Sequence, residues 1–271
     1  DTARGIKFKG ALVYVSDLEG KITKFNLTNM THEGGFSGGK EIKLYDSTII
    51  FKAGSNTANQ RYMFHSMDAT IGQTTGGFWL YAGTGNYERI ADKSPGTQNL
   101  LLGINDRYYP NFREVPLARI HDLVLCSNTT DDTTGANCPQ IPGQKGWYVL
   151  LDHFKKVTAE PTVSSGLVYF PIYKPTTSVN KCSLGEAFIC GVDDECGTNI
   201  SSQLGKNTKN IHANEKCKYV GLGVLSRIVT FAGKLFANIA GESTQDKKDL
   251  VTILGGTGDV STYRNSWRSN Y

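Results

Sequence analysis

The chain has 271 residues and a formal net charge of +4, with the cations scattered among acids rather than gathered into the basic stripe of a nucleic-acid binder. Glycine accounts for 30 residues, about 11% against the usual ~7%, while the apolar content is ordinary, which excludes a disordered chain, a collagen and a coiled coil. Apolar stretches such as 100–103 and 228–233 fall far short of the ~20 residues that a membrane-spanning helix needs.

The strand signal dominates from the start. Residues 10–27 read as a hairpin, and short β-branched or aromatic runs follow at Phe78-Trp79-Leu80-Tyr81-Ala82, Trp147-Tyr148-Val149-Leu150-Leu151, Leu167-Val168-Tyr169-Phe170 and Leu235-Phe236-Ala237-Asn238-Ile239. Each is bounded by Gly, Asn, Asp or Pro, the punctuation of strands. The best helical window, 183–190, is too short and too rich in β-formers to count. The chain begins at Asp1 without a start Met or signal peptide and is read as a mature or processed piece.

A weak repeat organises these strands. Glycines 10, 77, 166 and 233 each open a similar apolar run, at spacings of 67, 89 and 67 residues. The flanks ahead of Gly166 and Gly233 also match in kind, one strand leading through a tight glycine turn into the next. A four-stranded propeller blade takes about 40–45 residues, so the excess falls in polar insertions at 29–39, 88–97, 127–144 and 207–218. Closed radial repetition is a standard way to hide sheet edges. The expected fold is therefore all-β and β-propeller-like, incomplete, with about four to five blades and long disulfide-bearing loops. Residues 1–271 are read as the C-terminal part of a single propeller domain, with the upstream part of the parent protein missing.

Six cysteines, at 126, 138, 182, 190, 196 and 217, allow 15 pairings and show no zinc-ligand spacing. The polar loop between Cys126 and Cys138 has no hydrophobic means of ordering itself, so a local bridge is expected there. Cys190–Cys196 and Cys182–Cys217 are the weaker expectations. Disulfides place the chain in an oxidising, exported setting; sequons at Asn26, Asn29, Asn128 and Asn199 fit but add little.

Tests for chemistry end without a catalytic set. Gly35-Phe36-Ser37-Gly38-Gly39 matches G-x-S-x-G but lacks the strand and helix that a nucleophile elbow needs. Gly83-Thr84-Gly85 and Gly221-Leu222-Gly223 lack the third glycine of a dinucleotide loop. The histidines at 32, 65, 121, 153 and 212 are isolated from one another. Asp193-Asp194-Glu195 is the densest acidic run and the one candidate metal cluster. Three consecutive acids splay and supply fewer oxygens than the six to eight that calcium takes, so a solvated disulfide loop is expected, and no metal or cofactor is assigned.

Several stretches together resemble the C-terminal domain of the PilY/PilC family, type IV pilus biogenesis factors and tip adhesins of bacteria. Val13-Tyr14-Val15-Ser16-Asp17-Leu18-Glu19-Gly20 through Leu27 is similar to the family's opening hairpin, and Tyr81-Ala82-Gly83-Thr84-Gly85-Asn86-Tyr87 to its "FGTGRY" strand and turn. Gly146-Trp147-Tyr148, the stretches 157–161 and 168–171, and the ending Ser266-Trp267-Arg268 follow in the family's order. The resemblance implies a non-enzymatic, extracellular protein of the pilus tip that contacts minor pilins, the N-terminal part of its own parent and surface receptors, with neither nucleic acid nor membrane insertion involved. Many members carry an acidic calcium loop near the opening hairpin. Here Asp1 and Gly5 match it while Arg4 and Phe8 stand where carboxylates belong, so calcium is not expected there.

Two other classes remain as alternatives. A quinoprotein-like propeller enzyme would need calcium-binding acids beside a catalytic base, which this chain does not assemble. A carbohydrate-binding propeller would stack sugars on Trp79, Trp147 or the Arg107-Tyr108-Tyr109-Pro110 segment.

Overall fold

The computed structural model describes residues 12–26, 46–106, 109, 126–127, 146–151, 154–176, 183–198, 217–241 and 250–254. These form four sheets in chain order and contain no helix. The first runs β1 (Leu12–Ser16), β2 (Lys21–Asn26), β3 (Asp46–Lys52), all antiparallel. The second is ordered β4 (Asp68–Ile71), β5 (Phe78–Gly83), β6 (Leu100–Asp106), β8 (Gly146–Leu150), β7 (Cys126–Ser127), with β7 parallel to β8. In the third, β10 (Thr162–Ser164) and β9 (Lys156–Val157) share one edge of β11 (Leu167–Lys174), followed by β12 (Glu186–Asp193) and β13 (Cys217–Leu222). In the fourth, β14 (Val224–Leu225) and β15 (Val229–Phe231) share one edge of β16 (Lys234–Ala240), with β17 (Leu250–Leu254) on the other.

Each sheet is a blade, and side-chain alternation along a strand decides which neighbour it meets. On β5, Leu80 and Ala82 pack toward blade 1 with Ile22, Ile50, Leu102 and Ile104, while Trp79 and Tyr81 pack toward blade 3 with Val168, Phe170 and Phe188. On β11, Val168 and Phe170 belong to that second core, whereas Leu167 and Tyr169 face blade 4 with Leu225, Ile228, Leu235 and Ala237. Strands buried on both faces read as continuous apolar runs, which is why β5 and β11 give a clear sequence signal.

Trp147 is the keystone of the central core, fully buried, and side chains of this size contribute about 2–3 kcal/mol each when removed from water. It stands opposite Gly103 in the β6–β8 register. A Cβ at Gly103 would lie 2.3 Å from the indole, and one at Gly197 2.6 Å, so both faces of the ring need glycine.

The repeat read from the sequence is a real structural unit. Blades 3 and 4 both have an inner strand broken in two, β9/β10 and β14/β15, followed by a two-residue turn. Those turns hold positive φ at both positions, 53° and 76° at Ser165-Gly166, 48° and 70° at Ala232-Gly233, the type I′ geometry that suits strand twist. Equivalent positions, 66 or 67 residues apart, stitch the blades together. Thr158 Oγ1 donates to Leu225 O at 2.9 Å, Thr162 Oγ1 to Ile228 O at 2.6 Å, and Arg227 pairs with Glu160 at 2.9 Å.

The cysteine expectations need correction. Cys190 is disulfide-bonded to Cys217, not to Cys196, and Cys217 is therefore not bonded to Cys182. The reason is register: the two residues are direct partners across β12 and β13. Cys196 is also disulfide-bonded, to a cysteine whose side chain is outside the described residues. Cys138 and Cys182 lie outside the described residues, as does the Cys126 side chain, and with them the expected Cys126–Cys138 bridge.

Candidate interaction site

Polar side chains at the joint of blades 2 and 3 are organised in two places. One is the loop joining β5 to β6, residues 84–99. Its base closes where Leu100 N donates to Thr84 Oγ1 at 2.8 Å and Asn99 Nδ2 to Lys155 O at 2.9 Å. Asn86 accepts from Arg89 N, Asp92 Oδ1 accepts from Ser94 N and Oγ, and Gln60 Nε2 donates to the same carboxylate. These bonds hold the Asp92 carboxyl below its ordinary pKa, those from Gln60 first and Ser94 second.

The loop is fastened to blade 3 by Lys156. This ammonium, on a residue 1% exposed, donates to Arg89 O at 3.1 Å, Ile90 O at 2.8 Å and Asp92 O at 2.6 Å. It fills a ring of carbonyls as a bound cation would. Burial pulls its pKa down to about 8 against the pull of Asp92. Lys93 Nζ adds a second tie, to Thr176 O at 2.8 Å. The result is a tightly held loop with Tyr87, Glu88 and Arg89 among its exposed residues. His65 meets the Tyr87 ring edge-on, 5.3 Å between centroids. A loop held rigid by buried groups presents its exposed side chains at low entropic cost on binding.

The second place is the acidic turn 193–197. It is buried, not the solvated loop expected from sequence: Asp194 is 6% and Glu195 3% exposed. The Glu195 carboxylate accepts from Thr74 N at 2.6 Å and Thr75 N at 2.7 Å, spanning from blade 3 to the β4–β5 turn of blade 2. Asp193 Oδ1 accepts from Glu195 N and Cys196 N within its own turn. Trp147 Nε1 donates to Asp194 O at 2.8 Å. Burial, reinforced by Asp193 and Glu195, pushes the Asp194 carboxyl up to about 7. Burial likewise raises the pKa of Asp193 and of the Tyr81 phenol. Among the described residues no group of three or more His, Cys, Asp or Glu side chains is placed to hold a metal ion, and the Asp193 and Glu195 carboxylates face backbone N–H groups.

A buried charge pair joins blades 1 and 2. Lys24 Nζ on β2 and Tyr14 Oη on β1 each donate to Asp106 Oδ2 on β6 at 2.7 Å. Burial lowers the Lys24 pKa while Asp106 opposes it, and burial followed by Asp106 raises that of Tyr14. Neither this pair nor Lys156 was singled out from sequence. The signal available was a lysine alternating with apolar residues, Ile22-Thr23-Lys24-Phe25 and Lys156-Val157, which places a charge on an inward face.

The aromatic candidates for sugar stacking fall inside. Trp79 and Trp147 are both 0% exposed, each buried where two blades meet, so neither offers a ring face to a ligand. Tyr109 stacks on Phe78, centroids 4.3 Å apart; Arg107, Tyr108 and Pro110 lie outside the described residues. So do His32, His121, His153, His212 and the 35–39 glycine loop.

No family model matches the chain, and no curated protein matches it. Among solved structures it is similar to the C-terminal domain of Pseudomonas aeruginosa PilY1, with a TM-score of 0.56 and 14% identity over 90% of this chain and 57% of that one. The chain thus spans just over half the length of that domain and shares its fold. BamB from Moraxella catarrhalis aligns over 92% of this chain and 68% of its own at 10% identity, with a TM-score of 0.26, too low to carry an argument.

Proposed function

We propose that the chain is the C-terminal share of a type IV pilus tip-associated assembly factor and adhesin, acting without catalysis through contacts with minor pilins and surface receptors. The observation that carries this reading is the agreement of motif order with fold. The stretches that resemble PilY/PilC proteins lie in the family's order, and the same chain has the fold of a PilY1 C-terminal domain over 90% of its length. The motif residues also have evident work. The opening stretch forms the β1–β2 hairpin, the Tyr81–Tyr87 motif enters the 84–99 loop, and Trp147 is the central keystone. The Cys190–Cys217 disulfide belongs to an oxidising compartment, in keeping with an extracellular, cell-surface protein.

In this reading the held loop 84–99, with Tyr87, Glu88 and Arg89 at its exposed edge, is a contact surface for protein partners, and further blades of the parent protein cover the outer faces of blades 1 and 4. Deleting the gene of the parent protein in its own host tests the role. Surface pili recovered by shearing are expected to fall sharply, and to return when the retraction motor is also removed. Unchanged piliation would overturn the reading.

A further inference from the structure

The buried pair at the first joint holds reactive groups as well as charges. On β2, Ile22 and Lys24 share one face, and on β6, Leu102, Ile104 and Asp106 share another. The apolar members of both rows lie in the core between blades 1 and 2. Lys24 and Asp106 are the charged members, with side chains 1% and 3% exposed. Tyr14 is the direct partner of Lys24 across β1 and β2. Three strands therefore converge on one carboxyl group, where Lys24 Nζ and Tyr14 Oη both stand 2.7 Å from Asp106 Oδ2.

Aromatic rings flank the place. Lys24 Nζ lies 5.7 Å from the centre of the Tyr14 ring, Tyr14 packs on Phe78 with centroids 5.3 Å apart, and Phe78 stacks on Tyr109. An ion pair gives up its hydration in such surroundings, and moving one proton from ammonium to carboxylate removes both charges at once. Burial lowers the Lys24 pKa against the opposing pull of Asp106, which favours the neutral amine. Burial, then Asp106, raises that of Tyr14, so the phenol stays protonated and keeps donating to Oδ2.

We propose that Lys24 and Asp106 condense into an amide that joins blades 1 and 2 covalently. The step balances within the pair. After the proton transfer, the Lys24 Nζ lone pair attacks Asp106 Cγ and the C–N bond forms. The charge that develops on Oδ2 meets the Tyr14 hydrogen bond, which acts as an oxyanion donor. A proton passes from the nitrogen to Oδ1, the Cγ–Oδ1 bond breaks and one water leaves; nothing is oxidised or reduced. The fold holds the amine at hydrogen-bond distance from the carboxyl it attacks, so a bimolecular encounter becomes a fixed one. Reversal needs a water at Cγ, and the burial that favours the step excludes it. The ion pair and the amide are successive states of one joint, the first in the newly folded chain and the second in the matured one. The amide links residues 82 apart in sequence and so constrains the unfolded chain as a disulfide does.

Intact mass of the full chain, with its disulfides reduced, tests the proposal. The matured chain is expected to weigh one water less than its sequence, with the lighter species growing in after synthesis. A tryptic digest is expected to yield residues 22–40 joined to residues 94–107 as one branched peptide, a readout that needs no variant. Lys24→Arg keeps the cation without the nucleophile and is expected to stay at full mass. Tyr14→Phe keeps both reacting groups and is expected to lose water on the order of 100-fold more slowly. A matured chain at full mass, a water loss that survives Lys24→Arg, or an equal rate in Tyr14→Phe overturns the proposal.

Discussion

The middle blades and the end blades are built from the same strands and differ in what covers them. Blades 2 and 3 are buried on both faces, and β5, β6, β11 and β12 have almost no exposed residue. Blades 1 and 4 are covered on one face. On β1, Val13 and Val15 are 38% and 44% exposed, and on β15, Val229 and Phe231 are 56% and 73% exposed. Register places Val13 opposite Phe25, and Val229 opposite Phe236, so each end blade turns a row of apolar side chains outward. Exposed apolar rows of this kind mark contact surfaces. The difference teaches that, among the described residues, burial concentrates at the joints between blades while the end faces expose apolar side chains.

The strongest test of that contrast is at the buried charge of the first joint. Lys24→Met removes the ammonium that faces the Asp106 carboxylate inside this joint, and breaking a buried pair costs about 3–5 kcal/mol. A Lys24→Met/Asp106→Leu double variant is expected to recover much of the loss in a denaturant titration. Phe170→Ala, in the central core, is expected to cost about 3–5 kcal/mol. Phe231→Ala on the outer face of blade 4 should change the midpoint of this chain by under about 0.5 kcal/mol. Equal losses at Phe170 and Phe231 would break the contrast between middle and end.

Lys156→Met is expected to cost about 2–3 kcal/mol by removing the buried ammonium that donates to the Ile90 and Asp92 carbonyls. Limited proteolysis should then cut within 86–97, where the parent chain resists. Asp194 gives the most specific effect. Its carboxyl is raised to about 7 by burial, then by Asp193 and Glu195, from an unfolded value near ~3.9. The folded state therefore holds the proton more tightly, so the contribution of this group is full below about pH 4 and is lost as pH rises through 7. Asp194→Asn is expected to flatten the stability profile between those limits, read as thermal midpoint against pH.

Much of this architecture was legible in the residues, for reasons the blades make plain. Strands buried on both sides must be apolar throughout, and tight turns of positive φ need glycine, so Phe78–Gly83, Leu167–Lys174 and the glycines at 166 and 233 marked the blades. What was hidden depends on partners distant in sequence. Cys190 and Cys217 are neighbours because β12 and β13 pair across a long insertion. No local pattern says that the ammonium of Lys156 reaches three carbonyls more than 60 residues away. The acidic run Asp193-Asp194-Glu195 reads as solvated because the donors that reach it, the Thr74 and Thr75 amides and the Trp147 indole, come from another blade.

The proposed role, a non-enzymatic factor at the pilus tip, is tested most directly by the position of this chain on intact pili. Immunogold labelling of native pili with antibody to this chain is expected to place particles singly at filament ends. Labelling spread along the shafts, or found only inside the cells, would contradict the account.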